Sequence, residues 1–225
     1  MWVDPWREYL SEFLGVCLFV FLATSVVVSQ SIFGEASLLI TALGVGFSYA
    51  CVLYGTNHVS GGFLNPGVVV SLWLVGKLSS TKAVFYFIAQ LLGSVGGALL
   101  VFAAFGERAV LAAYGAPSLG LGVGIESALV LEIILGAIFV YLVFSLSINK
   151  AAPSVFGPLV FGLFLAVATI ISAPVSGASV NLARSFGPII LSGGYSDLVV
   201  YTAGGLMGSL VGIFYERVYL KRIKK

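Results

Sequence analysis

Charged residues fall along this chain in a few short groups, and uninterrupted apolar stretches run between them. The stretches 13–34 and 83–106 hold 22 and 24 residues. Each is enough for the ~20 residues that a helix needs to cross the hydrocarbon core of a bilayer. Further crossings are expected at 125–148, with Glu132 in its path, and at 197–215. The stretches 36–76 and 151–183, at 41 and 33 residues, are too long for one crossing, and neither carries the tight polar hairpin that would separate two. One crossing and a half fits both. In each case the extra half begins at an asparagine, which predicts short helices at 66–75 and 182–191. The pattern therefore predicts an all-α membrane protein with six transmembrane helices and two half-helices.

The half-helices start in related segments. Ser60-Gly61-Gly62-Phe63-Leu64-Asn65-Pro66-Gly67 and Ser176-Gly177-Ala178-Ser179-Val180-Asn181-Leu182-Ala183-Arg184 recur 116 positions apart. Backbone that breaks off and restarts at membrane depth is tolerated only where protein buries it or water wets it, so the pair points to a pore. Two other matches keep nearly the same offset: Glu12 to Phe21 resembles Glu132 to Tyr141, and Tyr86 to Gly97 resembles Tyr201 to Gly212. The chain thus reads as one transmembrane channel domain, 1–225, built from repeats at about 7–106 and 124–220. A repeat holding three crossings enters the membrane from the opposite side the second time, so the copies are inverted and the half-helices meet end to end at the midplane. Gly93, Gly97, Gly208 and Gly212 form stripes at i, i+4 spacing, as close helix packing requires.

Composition agrees with a bilayer environment. Hydrophobic residues make up 60% of the chain, charged residues 9%, and the mean hydropathy is +1.11. A net charge of +2, with no basic patch interleaved with aromatics, argues against a nucleic-acid partner. Arg7, Lys77, Lys82, Lys150, Arg217 and the tail lysines and arginine fall on one side of the expected topology, leaving only Arg108 and Arg184 elsewhere. Both termini are therefore expected in the cytoplasm, with 217–225 as a membrane-flanking anchor. The leader Trp2-Val3-Asp4-Pro5-Trp6-Arg7-Glu8 enters an apolar run too long for a cleavable signal, so the first run reads as a retained span. Cys17 and Cys51 sit in apolar runs and read as buried thiols, and a single His leaves no basis for a metal centre. No cofactor and no enzymatic chemistry is indicated.

Half-helices with their N-termini at the midplane aim positive dipole ends at one point, where the amides of Asn65 and Asn181 can donate to a passing solute. A water oriented by both would break the donor–acceptor chain along the file, and the converging dipoles oppose a cation or proton. Asn is a common helix N-cap, so one motif alone would say little; two in inverted halves say much more. Glu12 and Glu132 stand at matching places inside spans, where an ionisable group is expensive, and read as acceptors for loop N–H groups that hold the half-helices. Glu126 reads as interfacial. His58 either lines the inner vestibule or supports the first loop by satisfying a buried carbonyl. Arg184 is the exception to the charge placement that carries information, since it lies just inside the second half-helix and not in a loop beyond a span.

These residues resemble the aquaporin, or major intrinsic protein, family along essentially the whole chain, on the two loop motifs, the run Ala183-Arg184-Ser185-Phe186-Gly187-Pro188 and the paired glutamates. The family usually carries Asn-Pro-Ala in both loops, whereas here Gly67 and Leu182 depart from it. Leu182 lacks the ring that presets φ, so a less rigid second tip is expected. The resemblance implies a homotetramer with one pore per subunit, here expected in the plasma membrane, and an outer selectivity constriction formed by Val45, Thr169, Ala178 and Arg184. The first three are small. Neither the aromatic and His of water-selective members nor the flanking aromatics and Asp of glycerol-conducting ones are present. The expected activity is passive transport of water and small uncharged solutes such as glycerol or urea. An inverted-repeat secondary transporter and a poorly conducting membrane-junction protein are the alternatives.

Overall fold

The computed structural model describes residues 4–33 and 37–220. Residues 1–3, which include Trp2 and Val3 of the expected leader, residues 34–36 and residues 221–225 of the basic tail lie outside the described residues. The long helices are α1 (Pro5–Phe33), α2 (Leu38–Ser60), α4 (Ser80–Phe105), α6 (Ile125–Val143), α7 (Gly157–Ser176) and α9 (Tyr195–Gly208). Between them lie the half-helices α3 (Pro66–Leu74) and α8 (Leu182–Ser192), a short α5 (Glu107–Leu111), and α10 (Val211–Tyr215), which continues the path of α9. With their end extensions, six helical segments are long and apolar enough to cross a membrane. The protein is all-α in the described residues, as the hydrophobic pattern predicts.

Charge-free runs understate the spans. α1 begins at Pro5, upstream of the run at 13–34, because Arg7 and Glu8 lie at its polar end and do not interrupt it. The final crossing is not one regular helix: α9 ends at Gly208, a turn follows at Ser209 and Leu210, and α10 leads into a wide turn at Glu216–Leu220. The half-helices fall within a residue of expectation at each end.

The two repeats pack alike. α1 lies against α2 and α4, and α6 lies against α7 and α9. Each half-helix touches the third long helix of both halves, α3 against α4 and α9, α8 against α9 and α4. α2 and α7 run against each other across the repeat boundary, where a side chain on Gly46 would strike the Gly162 carbonyl, and one on Gly162 would strike that of Gly46. A Cβ at Gly97 would lie 2.6 Å from the Cys17 carbonyl, and one at Gly208 2.7 Å from the Ala137 nitrogen. Small residues here let backbones touch, which is the main source of helix association in lipid.

Ion pairs bring the chain's polar ends to one face. Lys82 pairs with Glu8, at the start of α1, and Lys77 with Glu216, beyond α10, at 3.0 Å. Cys17 is buried as expected. Cys51 is not: it is exposed on α2, on the outward face it shares with Phe47 and Tyr54 at helical spacing. An apolar neighbourhood in sequence cannot separate a lipid-facing position from an interior one.

Candidate functional site

α2 and α7 both stop at a glycine, Gly61 (φ 93) and Gly177 (φ 73), whose left-handed backbone closes the helix and turns the chain inward. Four residues on, Asn65 and Asn181 restart it. Asn65 Oδ1 accepts from Gly67 N at 2.8 Å and Asn181 Oδ1 from Ala183 N at 2.9 Å, so both half-helices are capped alike although Leu182 stands where α3 has Pro66.

The residues just before the asparagines tie the tips together. Leu64 (φ 46) and Val180 (φ 54) adopt a left-handed conformation that is an outlier for bulky side chains. Asn181 Nδ2 donates to the Leu64 carbonyl at 2.8 Å, and Asn65 Nδ2 to the Val180 carbonyl at 3.4 Å. Each amide thus spends one hydrogen on the opposite loop and keeps a second. The half-helices meet N-terminus to N-terminus, and their positive dipole ends converge.

The glutamates hold these loops from behind. Glu12 accepts from Ser60 Oγ at 2.6 Å, Phe63 N at 3.0 Å, Leu64 N at 2.9 Å and Gln90 Nε2 at 2.7 Å. Glu132 accepts from Ser176 Oγ at 2.6 Å, Ser179 N at 3.1 Å and Val180 N at 2.6 Å. Both are fully buried, and each serves only its own repeat. Tyr86 and Tyr201, paired by the repeat, add matching contacts by donating to the carbonyls of Ser60 at 2.9 Å and Ser176 at 2.8 Å. The sequence match between these tyrosines was visible, but not what their hydroxyls reach.

The remaining residues divide. Val45 on α2, Thr169 on α7, Ala178 in the second loop and Arg184 in the first turn of α8 are all buried. Thr169 donates its hydroxyl to the Leu165 carbonyl at 2.8 Å. Nε and Nη1 of Arg184 are buried and have no hydrogen-bond partner among the described residues. His58 is exposed, makes no hydrogen bond among the described residues, and lines an open cavity of about 400 Å³ with Asn57, Phe63 and Ser147. Glu126 is exposed at the start of α6, as an interfacial residue should be.

Two half-helices joined tip to tip within six crossing helices define a membrane channel. Comparisons with known proteins agree. The chain matches the family described as Major intrinsic protein over residues 2–216. A probable aquaporin TIP2-2 of Oryza sativa subsp. japonica is 34% identical over 225 residues, covering 95% of this chain and 88% of its own length. Aquaporin TIP2-1 of Arabidopsis thaliana is 34% identical over 224 residues, with the same coverage. The X-ray structure of the aquaglyceroporin from Plasmodium falciparum shares the fold, with a TM-score of 0.86 at 22% identity over 98% of this chain and 99% of that one. The chain belongs to the major intrinsic protein family. It is a multi-pass membrane channel for water and small solutes, not an enzyme.

Proposed function

We propose that the whole chain forms one channel domain whose pore passes between the tips of α3 and α8, carrying water and small uncharged solutes passively in both directions. The observation that carries this reading is the reciprocal clamp of Asn65 and Asn181, which fixes both amides and leaves each a donor at the point where two helix dipoles converge. A solute stripped of hydration there gains hydrogen bonds, whereas a cation meets positive potential. Outward of the tips we take Val45, Thr169, Ala178 and Arg184 to form the constriction, where three short side chains would leave room for urea or glycerol as well as water.

The ion pairs of Glu8 with Lys82 and Lys77 with Glu216 bring two lysines to the face where the chain's two ends lie, which supports both termini in the cytoplasm. We take the membrane to be the plasma membrane. We take the assembly to be a homotetramer with a pore in each subunit.

Osmotic swelling of proteoliposomes tests the reading. Wild-type protein is expected to give fast, non-saturating water flux, and folded Asn65→Leu or Asn181→Leu to lose nearly all of it, because an apolar tip leaves the dehydrated stretch uncompensated. Undiminished flux in either variant would put the pore elsewhere, and saturable flux would indicate a transporter.

A further inference from the structure

On the way from the charged face to the asparagine tips the space narrows in two stages. The open vestibule of about 400 Å³ shares Asn57, Gly61, Phe63 and Ser147 with a largely enclosed chamber of about 20 Å³. Tyr49, Leu53, Val143 and Phe161 close the chamber's inner walls. A water needs about 10–15 Å³ of such space, so the chamber holds little more than one.

Tyr49 is built firmly into that wall. It lies one helical turn beyond Val45 on α2, hence on the same face, and is buried. Its hydroxyl donates to the Phe63 carbonyl at 3.2 Å, across the loop that leads to Asn65. Its ring meets Phe19 edge to face, with centroids 5.0 Å apart at 82°, and Phe139 at 5.8 Å and 76°. Phe19 and Phe139 are repeat equivalents, each seven residues after its glutamate. Edge-to-face contacts of this kind hold rings in place, so turning Tyr49 aside would break both and the hydrogen bond together.

The position matters because the other repeat does not share it. Tyr49 stands sixteen residues before Asn65, and the residue sixteen before Asn181 is Leu165. The aromatic bulk missing at Val45, on the outer side, is present one turn deeper.

We propose that Tyr49 is the size-limiting residue of this pore, passing water and solutes no wider than water, such as ammonia or hydrogen peroxide, and holding back the urea and glycerol that the outer opening admits. The inference rests on the channel reading above.

Stopped-flow measurement of water and glycerol permeability on the intact protein in proteoliposomes decides it. Wild type is expected to conduct water with a low glycerol-to-water ratio. Tyr49→Val and Tyr49→Leu should raise that ratio about tenfold or more, the scale on which one misfit group discriminates substrates. Adding Val45→Phe to Tyr49→Val should bring the ratio down again by restoring a narrow ring one turn outward. Ready glycerol passage in the wild type would overturn the assignment even if both variants failed to fold. So would an unaltered ratio in water-conducting Tyr49 variants, and in either case the channel reading would stand. A wild type without water flux would overturn the channel itself and this inference with it.

Discussion

Arg184 carries the only guanidinium in the described membrane-spanning part of the chain whose Nε and Nη1 are buried without a protein partner. A planar, permanently charged group with free donors both hydrates a neutral solute and repels a cation. Arg184→Val should therefore admit cations under an imposed voltage while water still passes, read as a rise in liposome conductance above wild type. A variant that stays tight to ions would show that the half-helix dipoles suffice alone. Arg184, Asn65 and Asn181 were legible in the sequence, because polar side chains stand out against apolar runs and recur at one spacing. Leu64 and Val180 were not. Their side chains are ordinary, and their part is played by backbone: a left-handed φ turns each N–H to its own glutamate and each carbonyl to the opposite asparagine. Such a conformation costs about 1–3 kcal/mol at each residue, which those four hydrogen bonds offset.

At the scale of elements, the half-helices depend on loops that cannot hold themselves. Three donors of the second loop end on Glu132, and a buried donor left without an acceptor costs about 1–3 kcal/mol. Glu132→Ala should therefore lower the thermal unfolding midpoint in detergent by many degrees and abolish water flux. Glu132→Gln, which keeps one acceptor oxygen, should fall between. An unshifted midpoint for the alanine variant would mean that the loop finds other acceptors. The elements were largely legible because charge-free length reports span length, and an overlong run reports a half-helix. The break between α9 and α10 left no comparable sign: no proline marks it, and Gly208, Ser209 and Leu210 read as plausible helix. Gly67 is better explained by structure than by motif. A Cβ there would lie 2.8 Å from the Gly205 carbonyl, so the usual alanine would push α3 away from α9. Tyr49 escaped notice for a related reason, since its importance comes from rings and a carbonyl contributed by three separate segments.

At the scale of the whole molecule, the inverted repeat brings every residue proposed for the pore into one chain. The asparagines that bond across the midplane belong to the same chain, as do both glutamates behind them and all four residues proposed for the outer opening. A tetramer of such chains would thus hold four independent conduits, whereas a pore on the symmetry axis would need every subunit intact. Mixed assemblies separate these cases. Wild-type and Asn181→Leu chains can be co-expressed at several ratios, purified together and reconstituted at constant total protein. Independent pores predict water flux falling in direct proportion to the mutant fraction, since a silent subunit removes only its own conduit. A central pore predicts a far steeper fall, following a power of the wild-type fraction, because one altered chain would silence its whole assembly. Linear loss is the outcome expected here, and a steep loss would reject the placement of the conduit between the tips of α3 and α8.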